Sequence, residues 1–179
     1  MGPTDEELMS AYASGDGRAF GILFTRFAPR VHGFFLRSFR DESVADDLLQ
    51  VTFMKVHRAR AQFRPELKLV PWLFAVAARV RLDELRRRLR LPEDAGEEAI
   101  ARADEQAPQD PPADTDLRDA VRAALDALPE SQRAVIHLHR YEGMTFAEIG
   151  QVLGTTAGAA KLRAFRGYET LRQQLKGLL

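Results

Sequence analysis

Residues 141–171, YEGMTFAEIGQVLGTTAGAAKLRAFRGYETL, predict two short helices joined by a tight turn. Thr145 is placed to cap the first helix, and Glu148 three residues later completes a capping box. Gly154 provides the turn, because glycine adopts a left-handed backbone without steric cost. Gly150 lies inside the first helix, where the absence of a side chain lets the second helix pack closely. The stretch therefore predicts a pair of helices with a glycine corner.

The second helix of this pair separates small residues from cations. The helical period places five residues inward, namely Ala157, Ala160, Ala164, Tyr168 and Leu171. Another face carries Lys161, Phe165 and Arg166, with Leu162 and Arg163 beside it. This is the arrangement of a helix-turn-helix, whose second helix enters the major groove of DNA. The alternative is an ordinary helical hairpin with a solvated basic face.

The formal net charge of zero conceals a strong segregation along the chain. Residues 1–17 contain four acids and no Lys or Arg, and residues 18–90 contain sixteen bases and seven acids, a net charge of +9. Residues 91–120 contain two bases and ten acids, a net charge of −8, and residues 121–179 contain eight bases and five acids, a net charge of +3. The basic segments can meet phosphates, whereas the acidic connector is repelled from them.

The N-terminal part predicts a short helix over residues 4–13, with Thr4 and Glu7 forming a capping box. A longer helical pattern follows over residues 18–39, and its phenylalanines indicate a hydrophobic core. Pro29 interrupts that pattern, so we expect a kink or two abutting helices there.

A third helix is predicted from Ser43, as its cap, to about Arg58. It is apolar on two sides, and only one of them can be buried within its own domain. The other side is edged by Asp46, Asp47 and Gln50, which makes it a candidate surface for a partner protein.

Residues 59–70 lack a clean period and are predicted to form a loop that carries Phe63, Arg64 and Lys68. Pro71 is predicted to start the next helix, which presents six arginines, namely Arg79, Arg81, Arg86, Arg87, Arg88 and Arg90. Aromatic side chains stack on bases and cations follow the phosphate backbone. A loop with an aromatic and basic residues, followed by a basic helix, is therefore typical of single-stranded nucleic acid binding.

The chain is thus predicted to be all-α, with two small helical domains. The first covers residues 1–90, and residues 91–115 form a flexible linker because four prolines and many acids cannot build a core. The second covers residues 116–179 and comprises four helices that end with the helix-turn-helix.

Several other kinds of function are disfavoured. Cysteine is absent, and His137 and His139 point about 200° apart on a helix, so neither supports a metal site. The carboxylates of Asp46, Asp47, Asp83 and Glu84 are accompanied by no nucleophile or phosphate loop, so we expect no enzyme, no catalytic residue and no cofactor. The acidic N-terminus and the lack of a long apolar run favour a cytoplasmic protein.

The ordered series of these stretches resembles the sigma-70 family, in its extracytoplasmic-function (ECF) group of bacterial alternative sigma factors. The resemblance rests on AFGILFTRFAPRV, DDLLQVTFMKVHR and PWLFAVAARVRLDELRRR before the linker, and on LPESQRAVIHLHRYEGMTFAEIGQVLG and the basic helix after it. It implies a subunit that binds core RNA polymerase and directs promoter-specific initiation. It also implies an anti-sigma factor as a further partner.

The resemblance also implies residue roles. Polymerase binding falls on Asp46, Asp47, Leu48, Gln50 and Phe53. Recognition and opening of the minus-ten element fall on Phe63, Arg64, Lys68, Trp72 and Arg79, and many members have asparagine where this chain has Arg79. Reading of the minus-thirty-five element falls on Lys161, Arg163, Phe165 and Arg166.

The alternative is a stand-alone helix-turn-helix regulator with an N-terminal ligand-binding or dimerisation domain. Such a module needs neither an exposed acidic helix edge nor a basic loop followed by a basic helix. A palindromic operator would also require a dimer, and no dimerisation heptad is present.

Overall fold

The computed structural model describes residues 2–106 and 117–176, and all regular structure in those ranges is helical. The all-α prediction is therefore confirmed. The α-helices are α1 (Asp5–Ala13), α2 (Gly17–Phe39), α3 (Glu42–Ala59), α4 (Leu69–Leu89), α5 (Glu97–Glu105), α6 (Leu117–Ala127), α7 (Glu130–Arg140), α8 (Phe146–Leu153) and α9 (Ala157–Gln174). A one-turn 3-10 helix, Arg60–Gln62, follows α3.

The chain forms two compact units, Met1–Arg81 and Leu82–Leu179. Their boundary lies inside α4, whereas the sequence predicted domain limits at residues 90 and 115. Residues 91–106 therefore belong to the C-terminal unit, and residues 107–116 of the predicted linker lie outside the described residues.

In the N-terminal unit, α2 supplies the centre of the core. Phe27, Val31, Phe34 and Phe35 are almost completely buried, on either side of Pro29 in sequence. The helix continues through Pro29, so the predicted alternative of two abutting helices is wrong. Pro29 is exposed, and water can solvate the carbonyl that lacks an amide partner there. Burial of the phenylalanines on both sides outweighs the lost hydrogen bond.

The caps of the first and third helices were predicted with unequal success. The Thr4–Glu7 capping box of α1 is present, with hydrogen bonds of 2.8 and 3.2 Å. The cap of α3 is Asp41, whose carboxylate accepts a hydrogen bond from the Val44 amide at 3.1 Å. The prediction of Ser43 as cap is wrong, because an Asp two residues upstream takes that position.

The start of α4 is held by the N-terminal helix. The amide of Leu69, the first residue of α4, donates to Glu6 Oε1 at 2.9 Å. The Tyr12 hydroxyl at the end of α1 hydrogen-bonds to His57 Nδ1 on α3. One of the six arginines predicted on the exposed side of α4, Arg81, is 0 % exposed, so that part of the prediction is wrong.

The C-terminal unit contains the four predicted helices α6 to α9. Thr145 and Glu148 form the capping box of α8, and Gly154 adopts a left-handed backbone with φ of +71°. A Cβ built on Gly150 would lie 3.0 Å from backbone atoms of residues 155–157. The close approach and the glycine corner predicted for the helix-turn-helix are thus confirmed.

The inward face of α9 differs in part from the predicted one. Ala160 and Ala164 are buried as expected, but Ala157 and Tyr168 are exposed. Their inward places are taken by Arg163 and Gly167, so the buried stripe is rotated around the helix. Gly167 allows this because a Cβ there would lie 2.8 Å from Ile136 Cδ1 on α7.

The segment predicted as a flexible linker contains a helix. α5 is anchored by Ile100 and Ala101, whose side chains are buried in the C-terminal unit. Asp104 near its end accepts a hydrogen bond from the Ser131 amide in the first turn of α7 at 3.3 Å. The expectation of an unstructured segment is therefore wrong for residues 97–105.

Candidate nucleic-acid and polymerase interfaces

The outer side of α3 presents an acidic edge to solvent. Asp46, Asp47 and Gln50 are exposed, as the sequence predicted. Asp46 Oδ1 lies 3.1 Å from His32 Nε2 on α2, which fixes the position of that carboxylate. Both acids stand in the first turns of the helix, where the helix dipole attracts negative charge.

Two of the predicted polymerase contacts on α3 are less accessible. Leu48 is half-buried, and Phe53 is almost completely buried. The Phe53 ring packs edge-on against Phe24, with centroids 4.8 Å apart, and also contacts Phe20. Phe53 thus belongs to the core that supports α3, and the surface beside it is formed by other residues.

Those other residues are Val51 and Met54, which are exposed next to Gln50. Asp47, Gln50, Val51 and Met54 lie three or four residues apart and share one face of α3. We call these four residues the α3 stripe. An exposed stripe that combines a carboxylate, an amide and two apolar side chains is suited to protein docking.

Four of the five residues predicted to meet the minus-ten element lie near the start of α4 in sequence, and the fifth, Arg79, lies in the middle of that helix. Arg64, Lys68 and Arg79 are exposed, so their cations can approach a phosphate backbone. Trp72 is half-buried, and its ring meets that of Phe63 at a centroid distance of 5.4 Å and an angle of 70°.

Phe63 was expected to offer an open ring to a base, but its exposure is only 7 %. The surface of the ring is covered by its edge-on contact with Trp72 and by the core of the N-terminal unit. Phe63 therefore holds Trp72 in place, whereas Trp72 keeps part of its surface open to solvent.

On the recognition helix α9, the side open to solvent is formed by Lys161, Leu162 and Phe165. We call these three residues the reading face. Phe165 is 62 % exposed, which is unusual for a phenylalanine in a folded domain. Arg166 is also exposed, and its Nη1 lies 3.9 Å from Glu105 Oε1 on α5.

Arg163, the fourth residue predicted to meet the minus-thirty-five element, is only 5 % exposed. Its guanidinium lies 3.1 Å from Glu97 Oε1 and 2.8 Å from Glu98 Oε1, so both carboxylates come from α5. The expectation that Arg163 lies on an open face is wrong in this conformation. Packing of α5 in the C-terminal unit brings Glu97 and Glu98 next to Arg163 of α9.

Ionisation of the α5 carboxylates follows their surroundings. Hydrogen bonds from the Thr155 hydroxyl and from Arg163, together with the charge of Arg163, hold the pKa of Glu98 below its usual range. Burial, with the nearby charge of Glu130, raises the pKa of Asp104 above its usual range. The partners of Glu98 thus favour its anionic form, whereas Asp104 is a partly buried carboxylate that is costly to ionise.

The two histidines considered for metal binding have separate surroundings. His137 Nε2 lies 3.3 Å from Glu142 Oε1, and His139 stacks on Phe146 with centroids 4.5 Å apart. Within residues 2–106 and 117–176, no group of three or more His, Asp or Glu side chains is arranged to hold a metal ion. No helix in the same ranges combines the length and the apolar character that crossing a membrane requires.

Comparison with known proteins identifies the family. Residues 23–91 match Sigma-70 region 2, and residues 118–171 match Sigma-70 region 4. The chain is 41 % identical over 167 residues to the RNA polymerase sigma factor CarQ of Myxococcus xanthus, covering 93 % of this chain and 95 % of that one. It is 31 % identical to the ECF RNA polymerase sigma factor SigM of Mycobacterium tuberculosis, covering 96 % and 85 % of the two chains.

The chain belongs to the ECF group of the sigma-70 family. It is an alternative sigma factor, which excludes the stand-alone regulator considered from the sequence. Members of this family are DNA-binding transcription initiation factors.

Solved structures agree with this assignment. CnrH, solved in complex with the cytosolic domain of CnrY, has a TM-score of 0.66 and 27 % identity, with 97 % of each chain covered. The sigma factor RpoE of Bartonella quintana, solved in complex with the anti-sigma factor NepR, shares the fold with a TM-score of 0.66 over 88 % of this chain and 96 % of that one.

Sequence reasoning missed two features of this sigma factor. The apolar part of the α3 stripe could have been found, because Asp47, Gln50, Val51 and Met54 follow a helical period. The pairing of Arg163 with α5 could not, because the partners are 65 and 66 residues apart and no local pattern links them.

Proposed function

We propose that the N-terminal unit of this sigma factor carries both core polymerase binding and minus-ten recognition, and that the C-terminal unit reads the minus-thirty-five element. One observation carries the proposal: the α3 stripe and the exposed cations Arg64, Lys68 and Arg79 occur together in the N-terminal unit. A protein-docking stripe and a basic surface in one unit suit a subunit that joins a polymerase to DNA.

For polymerase binding, the α3 stripe and the neighbouring Asp46 are the proposed contacts, with the carboxylates of Asp46 and Asp47 facing cations of the partner. Val51 and Met54 would supply the desolvated apolar centre that gives such interfaces most of their binding energy. Leu48 and Phe53 support the stripe from below, since they are half-buried and buried, respectively.

For the minus-ten element, Trp72 is the proposed stacking surface for a base of the opened strand. Phe63 positions the indole through their edge-on contact, and Arg64, Lys68 and Arg79 follow the phosphates. For the minus-thirty-five element, Lys161, Phe165 and Arg166 are the proposed contacts, because they are exposed on α9.

We propose no catalysis and no cofactor for this protein, since it redirects a polymerase by binding. Its partners, core polymerase and promoter DNA, place its action in the cytoplasm. Both solved relatives described above were captured with a bound partner, CnrY or the anti-sigma factor NepR. An anti-sigma factor is therefore also proposed as a partner of this chain.

The experiment is reconstitution with purified core RNA polymerase. The sigma factor should form a one-to-one complex, and run-off transcription on genomic fragments should start at a discrete set of promoters. Failure to bind core polymerase at micromolar concentration would refute the proposal. Binding without promoter-specific transcripts would refute the assignment of the two DNA-reading surfaces.

A further inference from the structure

The acidic helix α5 occupies one flank of the recognition helix. Its sequence, EEAIARADE, contains four carboxylates and one arginine. Ile100 and Ala101 anchor the helix in the C-terminal unit, and Asp104 meets the first turn of α7. α5 is therefore a packed element, and the orientation of its acids toward α9 is fixed by that packing.

Contacts between α5 and the helix-turn-helix occur near both ends of α5. At its start, Glu97 and Glu98 bind the guanidinium of Arg163, and Glu98 also accepts a hydrogen bond from the hydroxyl of Thr155 in the turn before α9. At its end, Glu105 lies 3.9 Å from Arg166. These are the positions on α9 that border the reading face.

The contacts remove positive charge from that border. Arg163 is buried and faces two carboxylates, so it offers no cation to DNA in this conformation. Arg166 keeps its exposure but has Glu105 beside it. A phosphate approaching this flank would meet carboxylates in the places that phosphate oxygens would take, with the same hydrogen-bonding geometry toward a guanidinium.

We propose that α5 is an internal phosphate mimic that masks the recognition helix, so that the sigma factor in this conformation binds duplex DNA weakly until α5 is displaced. Displacement exposes Arg163, removes Glu105 from Arg166 and takes the carboxylates of Glu97, Glu98 and Glu105 away from the flank of α9. The masking contact requires only the C-terminal unit, because α5, α7 and α9 all belong to it.

This inference rests on the proposed function in one respect: the masked helix must be the one that reads DNA. The class of partner able to displace α5 then follows from charge. A segment with a net excess of acids is attracted to a basic surface, and a polymerase channel built to hold nucleic acid is such a surface. Binding to core polymerase would thereby expose the recognition helix α9 only when the sigma factor is part of the polymerase complex.

The test uses the full chain and a short mixed-sequence DNA duplex, because exposed cations bind phosphates whatever the base sequence. Glu97→Gln with Glu98→Gln keeps the shape of both side chains and removes the charges that hold Arg163. The expected result is tighter binding, on the order of fivefold at low salt, and a salt dependence steeper by about 0.9 for each new phosphate contact.

The matched control is Glu93→Gln with Asp94→Asn. These two exposed acids lie just upstream of α5, so the control changes net charge by the same amount. A gain in the control equal to that in the α5 variant would show a general charge effect and would overturn the proposal. A loss of binding in the α5 variant would show that α5 supports the reading helix and would overturn it as well.

A second variant, Ile100→Ser, removes the apolar anchor of α5 without changing its charge. It too should bind the duplex more tightly, with helix content from circular dichroism showing that α6 to α9 stay folded. An unchanged affinity in this folded variant would count against masking. Arg163→Gln should abolish most of the gain when added to Glu97→Gln and Glu98→Gln, yet change little in the otherwise unaltered chain.

The outcomes also separate this inference from the proposed function. Binding to core polymerase with no gain in the α5 variants would leave the sigma-factor assignment intact and overturn the mask. A gain in duplex binding without polymerase binding would support the mask and refute the polymerase-binding part of the proposed function.

Discussion

Asp104 is a carboxylate whose position makes its ionisation unfavourable. Burial and the charge of Glu130 raise its pKa, while the Ser131 amide and the charge of Arg133 offset part of that rise. Because the folded-state pKa lies above the unfolded value, the ionised form weakens the fold. That loss is complete above the folded-state pKa and is relieved as the pH falls through it toward the ordinary value near 3.8.

Asp104→Asn is therefore expected to stabilise the C-terminal unit at neutral pH. The Asn side-chain oxygen can still accept the hydrogen bond from Ser131, and the costly charge is gone. The gain should be on the order of 1 kcal/mol, the scale of a like-charge contact with partial burial. Thermal melts at pH 7 and in mild acid measure it, and the gain should shrink in acid. Glu93→Gln, at an exposed acid, should change neither melt.

Arg166 tests whether the border of the reading face contacts bases or phosphates. Arg166→Ala should weaken initiation at promoters with an intact minus-thirty-five element by about 1–3 kcal/mol if the side chain meets a base. An equal loss on all DNA would assign it to phosphate. Run-off transcription on paired promoters, with and without that element, separates the two results.

Arg172→Ala is the matched control for Arg166, because it removes an exposed arginine from a later turn of the same helix. Arg172 pairs with Glu169 at 2.8 Å. An effect of this control as large as that of Arg166→Ala would remove the case for a specific contact.

Single residues also show where sequence reasoning ends. Thr145, Glu148 and Gly154 were predictable because capping and left-handed turns depend on a few neighbouring residues. Arg81 and Arg163 were not, because a charged side chain is expected at the surface unless a partner is known. For Arg163 the partners stand on α5, which the linear sequence placed in a separate segment.

At the scale of elements, the corner between α8 and α9 is set by one glycine. A Cβ at Gly150 would press on backbone atoms of residues 155–157, and backbone cannot move aside as a flexible side chain can. Gly150→Ala should therefore destabilise the C-terminal unit by about 1–3 kcal/mol, the usual result of overpacking. Urea unfolding followed by circular dichroism measures this loss.

Gly158 provides the contrasting variant. It is exposed in the first turn of α9, and the nearest atom to a Cβ there is Thr156 Oγ1 at 3.9 Å. Gly158→Ala should raise stability by up to about 1 kcal/mol, because alanine favours the helix. Trp72, the single tryptophan, reports on the N-terminal unit and serves as an internal reference in both experiments. Equal effects of the two substitutions would contradict the role given to Gly150.

Among the helices, α5 was not predicted, because the acidic and proline-rich composition of its segment indicated a flexible linker. A short acidic stretch between prolines has little tendency to form a stable helix alone. Its helix is held by tertiary contacts, namely burial of Ile100 and the bonds of Glu97, Glu98 and Asp104 to the rest of the unit. Helices with their own apolar period and caps, such as α1 and α8, were predictable for the opposite reason.

For the molecule as a whole, the division into an N-terminal and a C-terminal unit was visible in the charge pattern. The boundary was not, because α4 continues from one unit into the next without a break in its sequence pattern. The acidic segment around α5 was expected to be repelled from phosphates, and in the structure two of its carboxylates, Glu97 and Glu98, pair with Arg163 of α9. Acids and bases that are separated along the chain thus come together within the C-terminal unit.

The proposed roles of the two units lead to variants with opposite defects. Asp47→Ala removes an exposed acid from the α3 stripe, and Lys161→Ala removes an exposed cation from the reading face. Asp47→Ala should weaken core polymerase binding by about 1–3 kcal/mol, as for a charge contact within an interface, and leave duplex DNA binding unchanged. Lys161→Ala should do the reverse, lowering DNA binding and its salt dependence by about one phosphate contact.

Titration of labelled core polymerase and of a DNA duplex with each variant provides both measurements. Glu93→Ala, an exposed acid outside both surfaces, controls for net charge in the polymerase titration. If Asp47→Ala and Lys161→Ala each impaired both partners, the surfaces would not be separable, and a shared loss of folding would have to be sought by circular dichroism. Separate losses would place polymerase docking on α3 and DNA reading on α9, because each substitution changes one exposed side chain in only one of the two units.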